Sequence, residues 1–209
     1  MNHFSRASSS RTHEQSVLRL ARKRGLLRTR DVAEHKLPTV MLTRLVQAGK
    51  LERVGRGLYM LPGQDLTEHR SLAEVALRVP RGVVCLLSAL RVHDIGTQAP
   101  FEVWLALPKG TVAPRMSSPP LRIVRLSGAA LTEGIEHIKS DGARIAVYNA
   151  AKTITDCFKF RNKIGLDVAL EALREGWRSR KVTMDDLWHY AQINRVSNVV
   201  RPYLEALAA

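Results

Sequence analysis

The stretch Pro38 to Gly63, PTVMLTRLVQAGKLERVGRGLYMLPG, decides the fold. Pro38 suits the first turn of a helix, where its missing N–H would have no partner. Steps of 100° per residue then place Leu45, Val46 and Gly49 each within about 60° of Leu42 on an inner side. Val40, Thr43, Arg44 and Gln47 fall on the outer side. Gly49 closes the helix, since glycine takes the left-handed conformation common at helix ends. Leu51 to Val54 and Leu58 to Leu61 read as short strands around Gly55-Arg56-Gly57, a three-residue loop of a type that hairpins favour. A helix that runs into a glycine-tipped hairpin is the second half of a winged helix-turn-helix.

Upstream lies its first half. Thr12 and Gln15 form a capping box for a helix whose buried stripe is Val17, Leu18 and Ala21 and which stops at Gly25. Thr29 caps a second helix, with Asp31 near its positive start and Val32 and Ala33 facing inward, until Leu37 and Pro38 interrupt it. Met1 to Arg11, with Ser8, Ser9 and Ser10 in a row, holds too few apolar residues to offset the entropy of ordering it. The expected organisation is a flexible arm over residues 1–12, a winged helix-turn-helix over 13–63, and a second domain over 64–209. The turn Leu61-Pro62-Gly63-Gln64 is the boundary.

Beyond it the pattern is mixed α+β, with a small sheet and C-terminal helices. Leu72, Val75, Ala76 and Val79 make a helical stripe, and Val83 to Val92 reads as a second, more buried helix carrying Ser88. Phe101 to Leu107, Leu121 to Leu126 and Arg144 to Tyr148 read as strands, the first with Val103, Leu105 and Leu107 opposing Glu102, Trp104 and Ala106. From Ala150 the chain is helical: a segment holding Ile154, Cys157, Phe158 and Phe160, then Leu166 to Glu175, Met184 to Asn194, and Val199 to Leu207.

The 209 residues are 45% hydrophobic, enough for a domain of about 50 residues beside one of roughly 150, which excludes a disordered tail protein. The net charge is +14 and it is uneven: residues 1–64 carry +9, residues 65–209 carry +5. A basic module followed by a more neutral domain points to nucleic acid as the first partner to test. Cys85 and Cys157 sit among apolar residues and fit neither a disulfide framework nor metal-ligand spacing, which points to a reducing cytoplasm. The longest apolar run, Val83 to Leu87, is far short of the roughly 20 residues of a spanning helix, so a soluble chain without a membrane is expected.

The third helix carries the sharpest chemistry, because an α-helix fits the major groove and only outward side chains near its start reach base edges. Val40, Thr43, Arg44 and Gln47 meet that condition. Arg pairs with guanine through two hydrogen bonds, Gln with adenine, and the Val or Thr methyls touch thymine, each good pair giving about 1–3 kcal/mol of discrimination. In the hairpin, Arg53 and Arg56 flank glycines, Gly57 among them, that let the backbone approach a phosphate. Arg22, Lys23, Arg24, Arg28 and Arg30 cluster around the first turn as phosphate contacts, which give affinity without sequence information. Tyr59 reads as core packing with its hydroxyl at the rim rather than as a base-stacking ring.

In the larger domain His93-Asp94 is assigned to a helix end, since adjacent helical residues do not face each other. Nucleophile motif, phosphate cradle and HExxH pattern are all absent, so no enzyme, metal or cofactor is expected. Lys152 and Asp156, four apart, read as a surface ion pair worth a few tenths of a kcal/mol, with a partner contact as the alternative. Trp177 and Trp188 read as core or interface.

Two stretches resemble the AbiEi-type antitoxins, the DNA-binding partners of nucleotidyltransferase-like toxins in bacterial abortive-infection and toxin-antitoxin operons. They are RLVQAGKLERVGRGLYMLPG, Arg44 to Gly63, and IAVYNAAKTITDCFKFRNKIGLDVALEALREG, Ile145 to Gly176. The Ser88 to Leu90 segment and VWLALP, Val103 to Pro108, extend the likeness. Asn149 departs from the small residue or Ser expected there. The resemblance implies a cytoplasmic repressor that binds inverted repeats in double-stranded operator DNA, dimerising in solution or on DNA. It also implies a C-terminal antitoxin domain that counters the toxin, by direct contact or through a shared target. By the same resemblance Lys152, Thr153, Asp156, Arg161 and Lys163 are the antitoxin candidates. The alternative is a winged-helix regulator whose C-terminal domain senses a small ligand.

Overall fold

The computed structural model describes residues 3–63, 69–116 and 118–208, and the side chains of 12–63, 69–116 and 118–207. The chain divides into two compact units, Met1–Glu74 with Lys139–Ala143, and Val75–Ile138 with Arg144–Ala209. The architecture is mixed α+β with two small sheets. Among the described residues no helix is long and apolar enough to cross a membrane.

The first unit holds α1 (His3–Arg24), β1 (Leu27–Arg28), α2 (Thr29–Glu34), α3 (Val40–Gln47), β2 (Glu52–Gly55) and β3 (Leu58–Met60). α1 passes through Thr12 rather than starting there, and its backbone is helical from His3, within the stretch expected as an arm. Once a helix is nucleated, each added residue fixes one more hydrogen bond, so a polar segment extends an existing helix that it would not start. The first buried side chain among those described is Val17. Gly25, at φ +76°, ends α1 as its position suggests.

β1, β3 and β2 form one antiparallel sheet in that order, with Leu27 opposite Tyr59 and Arg53 opposite Tyr59 from the other side. The hairpin is tighter than expected: Gly55 pairs Leu58, leaving a loop of Arg56 and Gly57, with a bulge between Arg53 and Gly55. The core under the sheet is Val17, Leu20, Ala21, Leu27, Val32, Met41, Leu42, Leu45, Leu51 and Tyr59. The inner stripe of α3 is therefore Met41, Leu42 and Leu45. α3 ends in a Schellman turn in which Lys50 N–H donates to Leu45 O at 2.8 Å and Gly49 N–H to Val46 O at 3.0 Å.

The turn expected as the boundary ends at Gln64, which lies outside the described residues. The division between the units falls later, within α4 (Arg70–Arg78).

Next come β4 (Val83–Val84), α5 (Leu86–Val92), β5 (Val103–Pro108), β6 (Leu121–Leu126), α6 (Ala129–Thr132), β7 (Ile135–Ser140) and β8 (Ala143–Tyr148), all in the second unit except Lys139–Ala143, where β7 ends and β8 begins. Five helices close it: α7 (Ala150–Lys159), α8 (Arg161–Ile164), α9 (Leu166–Arg178), α10 (Met184–Ile193) and α11 (Ser197–Ala208). The strand order is β6-β5-β4-β8-β7, with β4 parallel to β8 and antiparallel to β5. Val83 and Val84, expected at the head of a helix, form the central strand; α5 starts only at Leu86. A short apolar run between turns suits a buried strand as well as a buried helix, and periodicity cannot separate them. β5 is buried at Val103, Trp104, Leu105, Ala106 and Leu107 alike, so its two faces do not divide into inner and outer as the alternation suggested.

α7 is the centre of this unit. Every residue from Ala150 to Phe158 is buried, and α5, α9, α10 and α11 pack around it. Its polar side chains must therefore satisfy one another.

Candidate nucleic-acid interface

On α3, Met41, Leu42 and Leu45 are buried, while Val40, Thr43, Arg44 and Gln47 are exposed, Val40 to 54%. Helical geometry brings these outer residues within an arc of about 100°. They form one solvent-facing strip seated on a packed core. Arg44 has no ion-pair partner among the described residues, so its guanidinium is available to a ligand.

In the same unit the hairpin loop carries Arg56, exposed, and Gly57, at φ +70°. The loop is tied to α2, because Thr29 N–H donates to Gly57 O at 3.0 Å. Arg53 is exposed and its Nε–H donates to Gly55 O at 3.3 Å, across the bulge. Tyr59 is buried at 9% exposure in the sheet, as its placement in the core required.

The basic residues of the first turn separate into two groups. Arg22 and Lys23 are exposed and without acidic partners among the described residues. Arg24 and Arg28 both bind Asp31: Arg24 Nη1 lies 2.8 Å from Oδ1, Arg28 Nη2 2.8 Å from Oδ1, and Arg28 Nε 3.2 Å from each carboxylate oxygen. Arg28 N–H adds a bond of 2.8 Å to Oδ2, so Asp31 also caps α2. Asp31 is 1% exposed. Burial alone would raise its pKa, but the hydrogen bonds and charge of Arg28, with the charge of Arg24, hold it below the usual carboxylate range. The same pairing raises the pKa of Arg28. Arg30 is exposed but pairs with Glu34 at 2.6 Å. Five expected phosphate contacts are thus two free cations, Arg22 and Lys23, and three already engaged by carboxylates. The Arg28-x-x-Asp31 spacing was the signal for this cap, an acidic residue three places into a helix.

In the second unit the expected surface pair is a buried one. Lys152 is 0% and Asp156 1% exposed, with Nζ 2.7 Å from Oδ1 and 2.6 Å from Oδ2. The i,i+4 spacing was right, but α7 is enclosed on all sides, so the pair cannot meet a partner protein directly. Asn194 Nδ2 donates to Asp156 Oδ1 at 2.8 Å and to Thr155 Oγ1 at 3.1 Å. Lys152 Nζ also lies 4.3 Å from the centre of the Tyr148 ring. Tyr148 OH donates to Leu131 O, and Asn149 accepts from Lys152 N–H as the cap of α7. Burial pushes the Asp156 carboxyl up, against the opposing pull of Lys152 and Asn194. Thr153 is buried too, donating to Tyr148 O at 3.1 Å.

Of the remaining antitoxin candidates, Arg161 is half-buried and its Nη1 donates to Phe158 O at 2.9 Å, while Lys163 is exposed over the Phe160 ring at 5.7 Å. Sequence reasoning missed Tyr148 and Asn194, whose roles depend on long-range packing. His93 ends α5 and its Nε2–H donates to Tyr148 O at 2.7 Å, a structural bond at a helix end. Among the described residues no group of His, Cys, Asp and Glu is arranged to hold a metal ion. Cys85 and Cys157 are free thiols, and burial pushes both upward.

Residues 15–62, which contain α3 and the hairpin, match the family described as transcriptional regulator, AbiEi antitoxin. No curated protein sequence matches the chain. The structure is similar to the crystal structure of the RV2827C protein from Mycobacterium tuberculosis. The TM-score is 0.59 over 87% of this chain and 71% of that one, at 14% identity, a likeness of fold.

Proposed function

We propose that the first unit is a winged helix-turn-helix that reads operator DNA and that the chain represses its own operon as the antitoxin of a nucleotidyltransferase-like toxin. The observation that carries the reading is the exposed strip Val40, Thr43, Arg44 and Gln47, held on the same packed core as the strands of an arginine-tipped hairpin. The family match over residues 15–62 supports the regulatory and antitoxin parts of it.

In this mechanism Arg22, Lys23, Arg53 and Arg56 neutralise phosphates and release counterions, which supplies affinity for any duplex. Arg44 and Gln47 then read base edges, and the Val40 and Thr43 methyls contact thymine. Thr29 and Gly57 hold the hairpin loop against the start of α2 through their backbone bond. Two copies on adjacent half-sites account for inverted repeats, each set of contacts being repeated by symmetry. In the second unit Lys152, Thr153 and Asp156 fix the frame of α7, and exposed Lys163 and half-buried Arg161 are the surface groups left for a partner.

The test is binding of the full-length protein to its own promoter fragment and to a scrambled duplex of equal length. Arg44→Ala is expected to lose affinity on the promoter by about 1–3 kcal/mol and little on the scrambled duplex. Equal losses on both would end the base-reading assignment. Growth rescue on co-expression with the neighbouring reading frame tests the antitoxin half, and continued killing in the presence of abundant protein would overturn it.

A further inference from the structure

The C-terminal end of α9 presents Arg174, Trp177 and Arg178, and the i,i+3,i+4 spacing puts them on one face of the helix. The helix then closes in a Schellman turn: Arg180 N–H donates to Trp177 O at 3.0 Å and Lys181 N–H to Gly176 O at 2.9 Å. Arg180, in the left-handed conformation at φ +56°, sits where this turn reverses the chain toward Val182, Thr183 and the first residue of α10, Met184. Together with Leu207 of α11 these residues line a cavity of about 680 Å³. That volume lies within the roughly 300–1,000 Å³ typical of small-molecule sites.

The lining has two chemistries. Trp177, Val182, Met184 and Leu207 supply an apolar wall, and Arg174, Arg178 and Arg180 supply positive charge at its rim. All the arginines are exposed, and none has an ion-pair partner among the described residues. Two acids of α9 are engaged outside the cavity, and Asp186 accepts from Thr183 Oγ1 of its lining at 2.6 Å. Glu175 accepts from Gly96 N–H at 2.6 Å and Glu171 from Thr97 N–H at 3.1 Å. Three guanidiniums without an ion-pair partner among the described residues, set around a half-buried indole, favour one kind of occupant, since a guanidinium binds carboxylate or phosphate oxygens in pairs and the indole face covers an apolar body.

We propose that this cavity binds an amphipathic organic anion, with a carboxylate or phosphate head on Arg174, Arg178 and Arg180 and an aromatic or aliphatic body against Trp177 and Met184. The site is separate from the DNA-reading strip, and the measurement uses no DNA, so failure here leaves that reading untouched and the reverse is also true. The bounded volume and single indole favour a small molecule over a peptide, which would need a longer groove.

Titration calorimetry on the full-length protein tests it with 4-phenylbutyrate and phenyl phosphate as the carboxylate and phosphate probes. The neutral alcohol 4-phenyl-1-butanol and inorganic phosphate serve as the contrasts. Saturable one-to-one binding of at least one aromatic anion is expected, at least about tenfold tighter than either contrast, that is about 1.4 kcal/mol. Arg178→Gln is expected to weaken it at least about tenfold, and Met184→Asp to abolish it, with thermal melts checking that each variant remains folded. Neither anion binding at millimolar concentration, the neutral alcohol binding equally well, inorganic phosphate binding equally well, or an unaffected Arg178→Gln would each overturn the proposal. An acidic peptide that displaces the aromatic anion with higher affinity would overturn it in favour of a protein partner.

Discussion

Lys152 Nζ lies within 2.7 Å of both carboxylate oxygens of Asp156, and neither side chain is more than 1% exposed. Each charge is tolerated in the interior because the other is present. Lys152→Met is expected to destabilise the second unit by about 3–5 kcal/mol, whereas Lys152→Met with Asp156→Leu recovers most of that loss. The deficit of the single variant should narrow in acid. Burial raises the folded pKa of Asp156, and the lysine that opposes this is gone, so the folded state takes up a proton more readily than the unfolded one and stability increases as pH falls through the raised pKa. Urea denaturation of both variants across pH measures this, and a double variant as unstable as the single would refute the pairing argument.

How much of this was readable beforehand differs by residue. α3 was legible because Leu42 and Leu45 repeat at helical spacing and Gly49 follows them, so burial could be inferred from period alone. Lys152 and Asp156 were legible as a pair but not as a buried one, since i,i+4 spacing is the same on a solvated helix and on an enclosed one. What encloses α7 is α5, α9, α10 and α11, elements distant from it in the chain or later than it, and local pattern carries no record of that. β7, Ile135–Ser140, has Ile135 and Ile138 half-buried at odd spacing and escaped the search for alternation. Arg24 and Arg28 looked like free cations because the acid that binds both, Asp31, was assigned to the helix start alone.

Asp31 makes the first unit acid-sensitive. Its folded pKa lies below the ordinary carboxylate value, so its contribution is complete above that ordinary value and is lost as pH falls through the lower folded one. Asp31→Asn should reduce stability near neutral pH by about 1–3 kcal/mol and flatten the acid limb of the unfolding profile. Hydrogen exchange at the β1–β3 amides reads it in the full-length chain; an unchanged acid limb would show that another group is responsible.

Gly57 couples the hairpin loop to α2. Its carbonyl accepts from Thr29 N–H, its φ is +70°, and a Cβ added there would meet Thr29 Oγ1 at 3.4 Å. Gly57→Ala should cost about 1–2 kcal/mol through the left-handed conformation. DNA affinity should fall with no change in salt slope, because no charge is removed. Anisotropy titrations over a range of salt concentrations check it, and full affinity in the variant would mean that the loop does not bear on DNA.

Lys23 and Arg28 separate the cations that can bind phosphate from those that hold the fold. Lys23 is exposed and without an acidic partner among the described residues, so Lys23→Ala should weaken promoter and scrambled DNA alike and reduce the slope of log K against log salt by about 1. Arg28 is committed to a buried carboxylate, although its own side chain is 32% exposed. Arg28→Gln should therefore reduce the unfolding free energy by about 1–2 kcal/mol after allowance for solvent screening, and leave the salt slope unchanged. Stability and salt slope measured on both variants make the comparison. If Arg28→Gln reduces the slope as much as Lys23→Ala does, Arg28 must release Asp31 and turn to a phosphate when DNA binds, and the cap on α2 would then open on every binding event.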